Sequence, residues 1–128
     1  MDQLTSLAEL GLRIAVGTVF LVHGLQKRMF WTMQPSAQLP AGMIKVLRFL
    51  SIVEPLGALA MFAGFLTRPA AIGLSIIMFG AINLKAGQMK KGFTGDGGWE
   101  LDFMVLAANV VLLLVGAGAW SLDRVLRI

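Results

Sequence analysis

The sequence predicts an all-α integral membrane protein, a single four-helix bundle whose antiparallel spans run up and down with both termini on the same side. Composition is the first reason, because 57% of the 128 residues are hydrophobic and only 14% are charged. The mean hydropathy of +0.79 exceeds that of a soluble domain, whose surface needs more charge. The length predicts one domain, residues 1–128, and four of its stretches approach the roughly 20 apolar residues that cross a bilayer.

The four predicted spans cover residues 4–25, 44–66, 69–84 and 101–119. Only Thr67 and Arg68 lie between the second and the third, so these two helices must form an antiparallel hairpin. Thr67 is placed to cap the third helix and Pro69 to occupy its first position. The two longer connections, 26–43 and 85–100, therefore lie on the opposite side of the membrane from both termini.

Basic residues flank the apolar runs. The net charge is +4, but its scatter along the chain favours contacts with membrane lipid headgroups over nucleic acid. The long-loop side carries Lys27, Arg28, Lys45, Arg48, Lys85, Lys90 and Lys91, and the other side carries Arg13, Arg68, Arg124 and Arg127. This excess favours long loops in the cytoplasm and termini outside.

Several kinds of chemistry are excluded by composition. The chain has no cysteine and one histidine, so it lacks ligands for an iron–sulfur cluster, a zinc–thiolate site or a bis-histidine haem within one protomer. No HExxH motif or P-loop is present, and no metal site is predicted. If electrons pass through this protein, their carrier must be an exogenous small molecule such as a quinone, or a partner subunit.

A carboxylate in the second span is the most informative polar residue. Glu54 lies near the middle of that span and is followed by Pro55, which removes a backbone donor and favours a kink. Charged residues inside spans usually face a partner or a cavity. His23, Lys27 and Arg48 are its candidate partners. A structural ion pair joining two helices is the alternative interpretation.

Other polar residues gather towards the long-loop half of the membrane. Asn109 lies in the middle of the fourth span, seven residues after Asp102 on the same helix face. The set comprises His23, Lys27, Arg48, Glu54, Asn83, Lys85, Glu100 and Asp102. The other half is nearly all apolar, with Arg13 expected to pair with Glu9 and to extend to the near interface. This asymmetry predicts an intramembrane site in the long-loop half.

Glycines spaced seven apart predict close helix packing. Gly57 and Gly64 form one such set, and Gly73, Gly80 and Gly87 form another. Beyond the fourth span, Ser121 is expected to cap a short terminal helix with Asp123 in its first turn.

Five segments in this order resemble the DoxX family of small membrane proteins: "HGLQK" at the end of the first span, Glu54, "GFLTRPAA", "GGWELDF" and "GAGAWSLDR". The resemblance implies four spans in the bacterial inner membrane and an association with quinone-linked redox chemistry. By motif, the family's polar set corresponds to His23, Gly24, Lys27, Glu54 and Glu100. Family members often have a histidine near the end of the third span, where this chain has Asn83 and Lys85.

Two functions remain open at this stage. In a quinone-linked redox subunit, His23 and Lys27 would donate hydrogen bonds to a quinone carbonyl, and Glu54 would accept or relay a proton. Glu54 and His23 are then the catalytic candidates. The cofactor-binding candidates are His23, Lys27, Arg48, Glu54, Asn83, Glu100 and Asn109. Alternatively, the protein is a non-catalytic accessory or scaffold that binds a lipid-like molecule or a partner protein. Both functions are compatible with a redox partner subunit or a homodimer.

Overall fold

The computed structural model describes residues 3–128, and all regular secondary structure within this range is helical, with no strand. The five α-helices are α1 (Gln3–Gln26), α2 (Ala41–Ala63), α3 (Thr67–Ile82), α4 (Glu100–Val115) and α5 (Leu122–Leu126). A 3₁₀-helix, Lys27–Trp31, extends α1, and a π-helical segment, Asn83–Gln88, extends α3.

Among residues 3–128, three helical stretches are long and apolar enough to cross a membrane: Gln3–Trp31, Ala41–Ala63 and Thr67–Gln88. The fourth predicted span is shorter than expected, because α4 has 16 residues and ends at Val115. At 1.5 Å per residue it covers about 24 Å, less than the roughly 30 Å hydrocarbon core. The chain turns at Gly116 and Gly118, whose φ angles of 83° and 89° are left-handed and therefore favour glycine.

The helices pack in pairs around one apolar core. Helix α1 lies against α2 and α3 against α4, and the buried core residues are Val16, Phe20, Ala58, Met61, Ala71, Leu74, Met78, Val105 and Leu112. Large apolar side chains also cover the outside, among them Phe79 at 63% exposure and Leu114 at 72%. Outward-facing apolar residues of this size are expected where helices meet acyl chains rather than water.

Only one of the two glycine sets packs inside the chain. A Cβ at Gly57 would contact Leu74 of α3 at 2.8 Å, whereas Gly73 and Gly80 have nothing within 4 Å of that position. The packing role predicted for Gly73 and Gly80 is therefore wrong for contacts within the chain. Both residues face outward on α3.

The turn between α2 and α3 is capped from a distance. Helix α3 begins at Thr67 and its N-cap is Leu66, with a left-handed φ of 51°, so the predicted capping by Thr67 is wrong. Instead, the backbone N–H groups of Leu66 and Thr67 donate to the Asp123 carboxylate at 2.6 and 2.9 Å. The Ser121 hydroxyl accepts from the Arg124 backbone N–H at 3.2 Å, which confirms the predicted cap of α5.

Candidate functional site

The predicted site is centred on an ion pair between α2 and the end of α1. Glu54 is 1% exposed, and its Oε2 lies 2.8 Å from Nζ of Lys27. Gly24 makes the close approach of the two helices possible, because a Cβ there would collide with the ring of Pro55. Lys27 is therefore the observed partner among the three candidates that the sequence offered.

His23 lies on the last turn of α1, one turn before Lys27, and is half-buried. Its imidazole makes no hydrogen bond or ion pair with any residue of the range 3–128. Both ring nitrogens are thus left to solvent or to a bound molecule, beside the Lys27–Glu54 pair.

Arg48 stabilises the segment that follows α1 and does not contact Glu54. Its Nε donates to the Phe30 carbonyl at 2.8 Å, and its guanidinium carbon lies 5.6 Å from the centroid of the Trp31 ring, within cation–π range. The Trp31 indole N–H donates in turn to the Ser51 hydroxyl at 2.8 Å. These contacts fix the 3₁₀-helix that starts with Lys27.

A second ion pair links the π-helical segment to α4. Nζ of Lys85 lies 2.8 Å from Oδ2 of Asp102, which is 4% exposed; the two atoms are close but are not aligned as a hydrogen bond. Asn109 follows on the same face of α4 and is fully buried. Neither atom of its amide group has a partner in the described chain. The sequence indicated Lys85 and Asp102 as polar residues of this half of the membrane, but not that they form an ion pair with each other.

Two predicted binding residues lie outside these buried contacts. Asn83 and Glu100 are exposed, and their side chains form no hydrogen bond or ion pair within residues 3–128. The same range contains no group of three or more His, Asp or Glu side chains that could hold a metal ion.

A polar cluster in the first half of α1 was not predicted from the sequence. Arg13 is fully buried and donates to the carbonyls of Met61 at 3.1 Å and Trp120 at 2.6 Å. Glu9 is 6% exposed, and within the described chain it forms no ion pair with Arg13. That half of the molecule is thus not nearly all apolar, and Arg13 does not extend to the interface. The sequence feature associated with this cluster is Gly64, because only a residue without a Cβ leaves room for the Arg13 guanidinium.

Long apolar helices that enclose paired charges define the molecule as a helical membrane protein. The model of the DoxX family matches residues 8–87, and the chain belongs to this family. It is 36% identical to an uncharacterized membrane protein of Mycobacterium tuberculosis, Rv3486, over 88% of this chain and 77% of the relative. It is 30% identical to a protein of Bacillus subtilis named "Putative oxidoreductase CatD", over 96% of this chain and 90% of the relative. No solved structure matches the chain.

Proposed function

We propose that this protein is a quinone-linked, redox-associated subunit of the bacterial inner membrane, in which α1 to α4 cross the bilayer as an antiparallel bundle. Two contacts support the antiparallel arrangement of α1 and α2, since Arg13 meets Met61 whereas Lys27 meets Glu54. The long connections would then face the cytoplasm, where their excess of lysine and arginine favours them.

The buried Lys27–Glu54 pair is the observation that carries the proposal. A carboxylate taken out of water is costly even when paired, and such residues inside membrane spans usually serve a function. The Glu54 side chain is 2% exposed and that of Lys27 is 21% exposed. A ligand could therefore reach the ammonium group first and the carboxylate only after the pair opens.

The chemistry of a quinol fits these groups. Oxidation of a quinol to a quinone releases two electrons and two protons. Lys27 and His23 would hold the quinone oxygens by hydrogen bonds, and Glu54 and His23 would each accept one of the protons. Both electrons would pass to a redox partner subunit. The name of the Bacillus subtilis relative, an oxidoreductase, is consistent with this role.

A second candidate function is a non-catalytic accessory module, and one observation favours it. Glu54 is 1% exposed and paired with Lys27, and it lines neither the cleft at residues 115–119 nor the one at residues 22–29. In this alternative, the pair joins α1 to α2 and the protein binds a lipid-like molecule or a partner protein without turnover.

A measurement of the quinone bound to the purified protein distinguishes the two candidate functions. We would purify the protein in mild detergent and quantify quinones in an organic extract by mass spectrometry. Replacing Glu54→Gln together with His23→Ala should abolish the enrichment seen in the wild type. The matched control, Asp96→Asn, removes an exposed carboxylate outside the candidate site and should leave the enrichment unchanged. A wild-type extract without quinone would refute the redox proposal and favour the accessory module.

A further inference from the structure

A separate cleft lies at the Arg13 end of the molecule and shares no residue with the Lys27–Glu54 pair. It has a volume of about 560 Å³ and lies between α1, the start of α3, the 115–119 connection and α5. Its lining includes two acidic and two basic side chains, those of Glu9, Asp123, Arg68 and Arg124.

Two buried oxygens of this lining make no hydrogen bond within the described chain. Oε2 of Glu9 and Oγ1 of Thr67 belong to residues that are 6% and 0% exposed, and neither is hydrogen-bonded within the described chain. Leaving a buried polar group unpaired is unfavourable, and a carboxylate can only accept hydrogen bonds. The missing partner of Glu9 is therefore a donor, and a cationic donor suits it best.

The other acidic residue of the lining, Asp123, already accepts hydrogen bonds from the backbone. Both carboxylate oxygens of Asp123 accept backbone N–H groups, from Leu66 and from Thr67. Glu9 is thus the acidic group of the lining that remains available. Gly118 lets its carboxylate reach the cleft, because a Cβ at this position would collide with Oε2 of Glu9.

The basic side chains offer a complementary anion site. Arg124 is exposed, and its guanidinium has no partner in the described chain. Arg68 donates to the carbonyls of Leu113 and Leu114 at 3.2 and 3.4 Å, which uses two of the five N–H donors of a guanidinium. The remaining donors of both residues can bind phosphate oxygens.

The surroundings indicate that the cleft opens among lipid headgroups. Trp120 is 48% exposed beside it, and α5 presents Leu122 at 44% and Val125 at 74% exposure. Exposed tryptophan and short apolar helices of this kind lie at the boundary between headgroups and acyl chains.

We infer that this cleft binds the headgroup of a phospholipid that carries a primary ammonium beside its phosphate, as in phosphatidylethanolamine. The ammonium donates to Glu9, Arg68 and Arg124 bind the phosphate, and the Thr67 hydroxyl hydrogen-bonds to the same headgroup. A trimethylammonium group has no N–H to donate to Glu9, and phosphatidylglycerol has no cation. This inference does not depend on the redox proposal.

Native mass spectrometry of the delipidated protein tests it. The protein would be titrated with phosphatidylethanolamine, phosphatidylcholine and phosphatidylglycerol of identical chains, and with water-soluble glycerophosphoethanolamine. We expect phosphatidylethanolamine to bind about tenfold or more tightly than phosphatidylcholine, the effect of one charge-assisted hydrogen bond. Glu9→Gln should remove this preference, and Arg124→Gln should weaken both lipids similarly. Asp96→Asn, which alters an exposed carboxylate outside the cleft, is the matched control.

Several results would overturn the inference. Equal binding of phosphatidylethanolamine and phosphatidylcholine would exclude recognition of the ammonium, and a preference for phosphatidylglycerol would identify an anion site alone. Binding of glycerophosphoethanolamine as tight as that of the lipid would identify a soluble phosphate ester as the ligand. If Glu9→Gln does not fold, the wild-type lipid series and the exposed Arg124→Gln variant decide the question.

Discussion

Arg13 offers the most direct test of how buried charge stabilises this protein. The substitution Arg13→Met retains an unbranched side chain of moderate length. It removes the guanidinium that joins α1 to the carbonyls of Met61 and Trp120. The Trp120 carbonyl lies outside the helices. It therefore loses a partner that no helical bond replaces.

The size of the effect follows from these contacts. A hydrogen bond to a charged group contributes about 1.5–3 kcal/mol, so the two bonds contribute roughly 3–6 kcal/mol. Removing the cation also removes its desolvation cost, which offsets part of the loss. We expect a net loss of about 3 kcal/mol in the free energy of unfolding. Arg13→Lys should lose less, because one ammonium keeps the charge but cannot reproduce the planar fork.

The measurement is reversible unfolding in mixed micelles, with tryptophan fluorescence reporting the folded fraction. Arg28→Met is the matched control, since Arg28 is exposed in the 3₁₀-helix that follows α1 and its loss should change the free energy by less than about 0.5 kcal/mol. If the free energy of unfolding of Arg13→Met lies within about 1 kcal/mol of the wild-type value, the expected loss is refuted. The buried guanidinium would then contribute little net stability.

Four further substitutions test other contacts by the same unfolding measurement. Gly24→Ala should destabilise the protein by about 1–3 kcal/mol, because the new methyl group meets Pro55. Its control, Gly73→Ala, lies in open space and should be neutral or slightly stabilising. Equal changes in the free energy of unfolding for the two variants would contradict this account. Asp123→Ala removes the cap of α3 and should cost about 2 kcal/mol; an unchanged free energy would show that water replaces it fully. Asn109→Leu replaces a fully buried amide without a partner in the described chain and should stabilise the protein by about 1–2 kcal/mol; destabilisation would mean that the amide binds a group of its own.

The helices themselves were predictable from hydropathy, because long apolar runs must be helical in lipid. The first span was expected at residues 4–25 and is observed at Gln3–Gln26. The end of α4 at Val115 is harder to predict from the sequence. Its apolar run continues through alanines and glycines, and only the backbone conformation at Gly116 and Gly118 ends the helix.

The contacts between distant segments were the least predictable part. Arg13 looked interfacial because its acceptors lie 48 and 107 residues away in sequence, beyond the reach of any helical pattern. Periodicity shows which residues share a helix face, but not which face is inside. Gly57 and Gly73 therefore looked alike, although only Gly57 packs against another helix.

The bond between Arg13 and the Trp120 carbonyl also has a consequence for biogenesis. Its two ends are 107 residues apart, so at about 5–20 residues per second a ribosome needs roughly 5–20 s to make the second after the first. During that interval the cation of the first helix lacks its shortest hydrogen bond and needs headgroups, water or the insertion machinery as a substitute. The hydrogen bonds that hold the buried cation of α1 are thus complete only after residue 120 has been made.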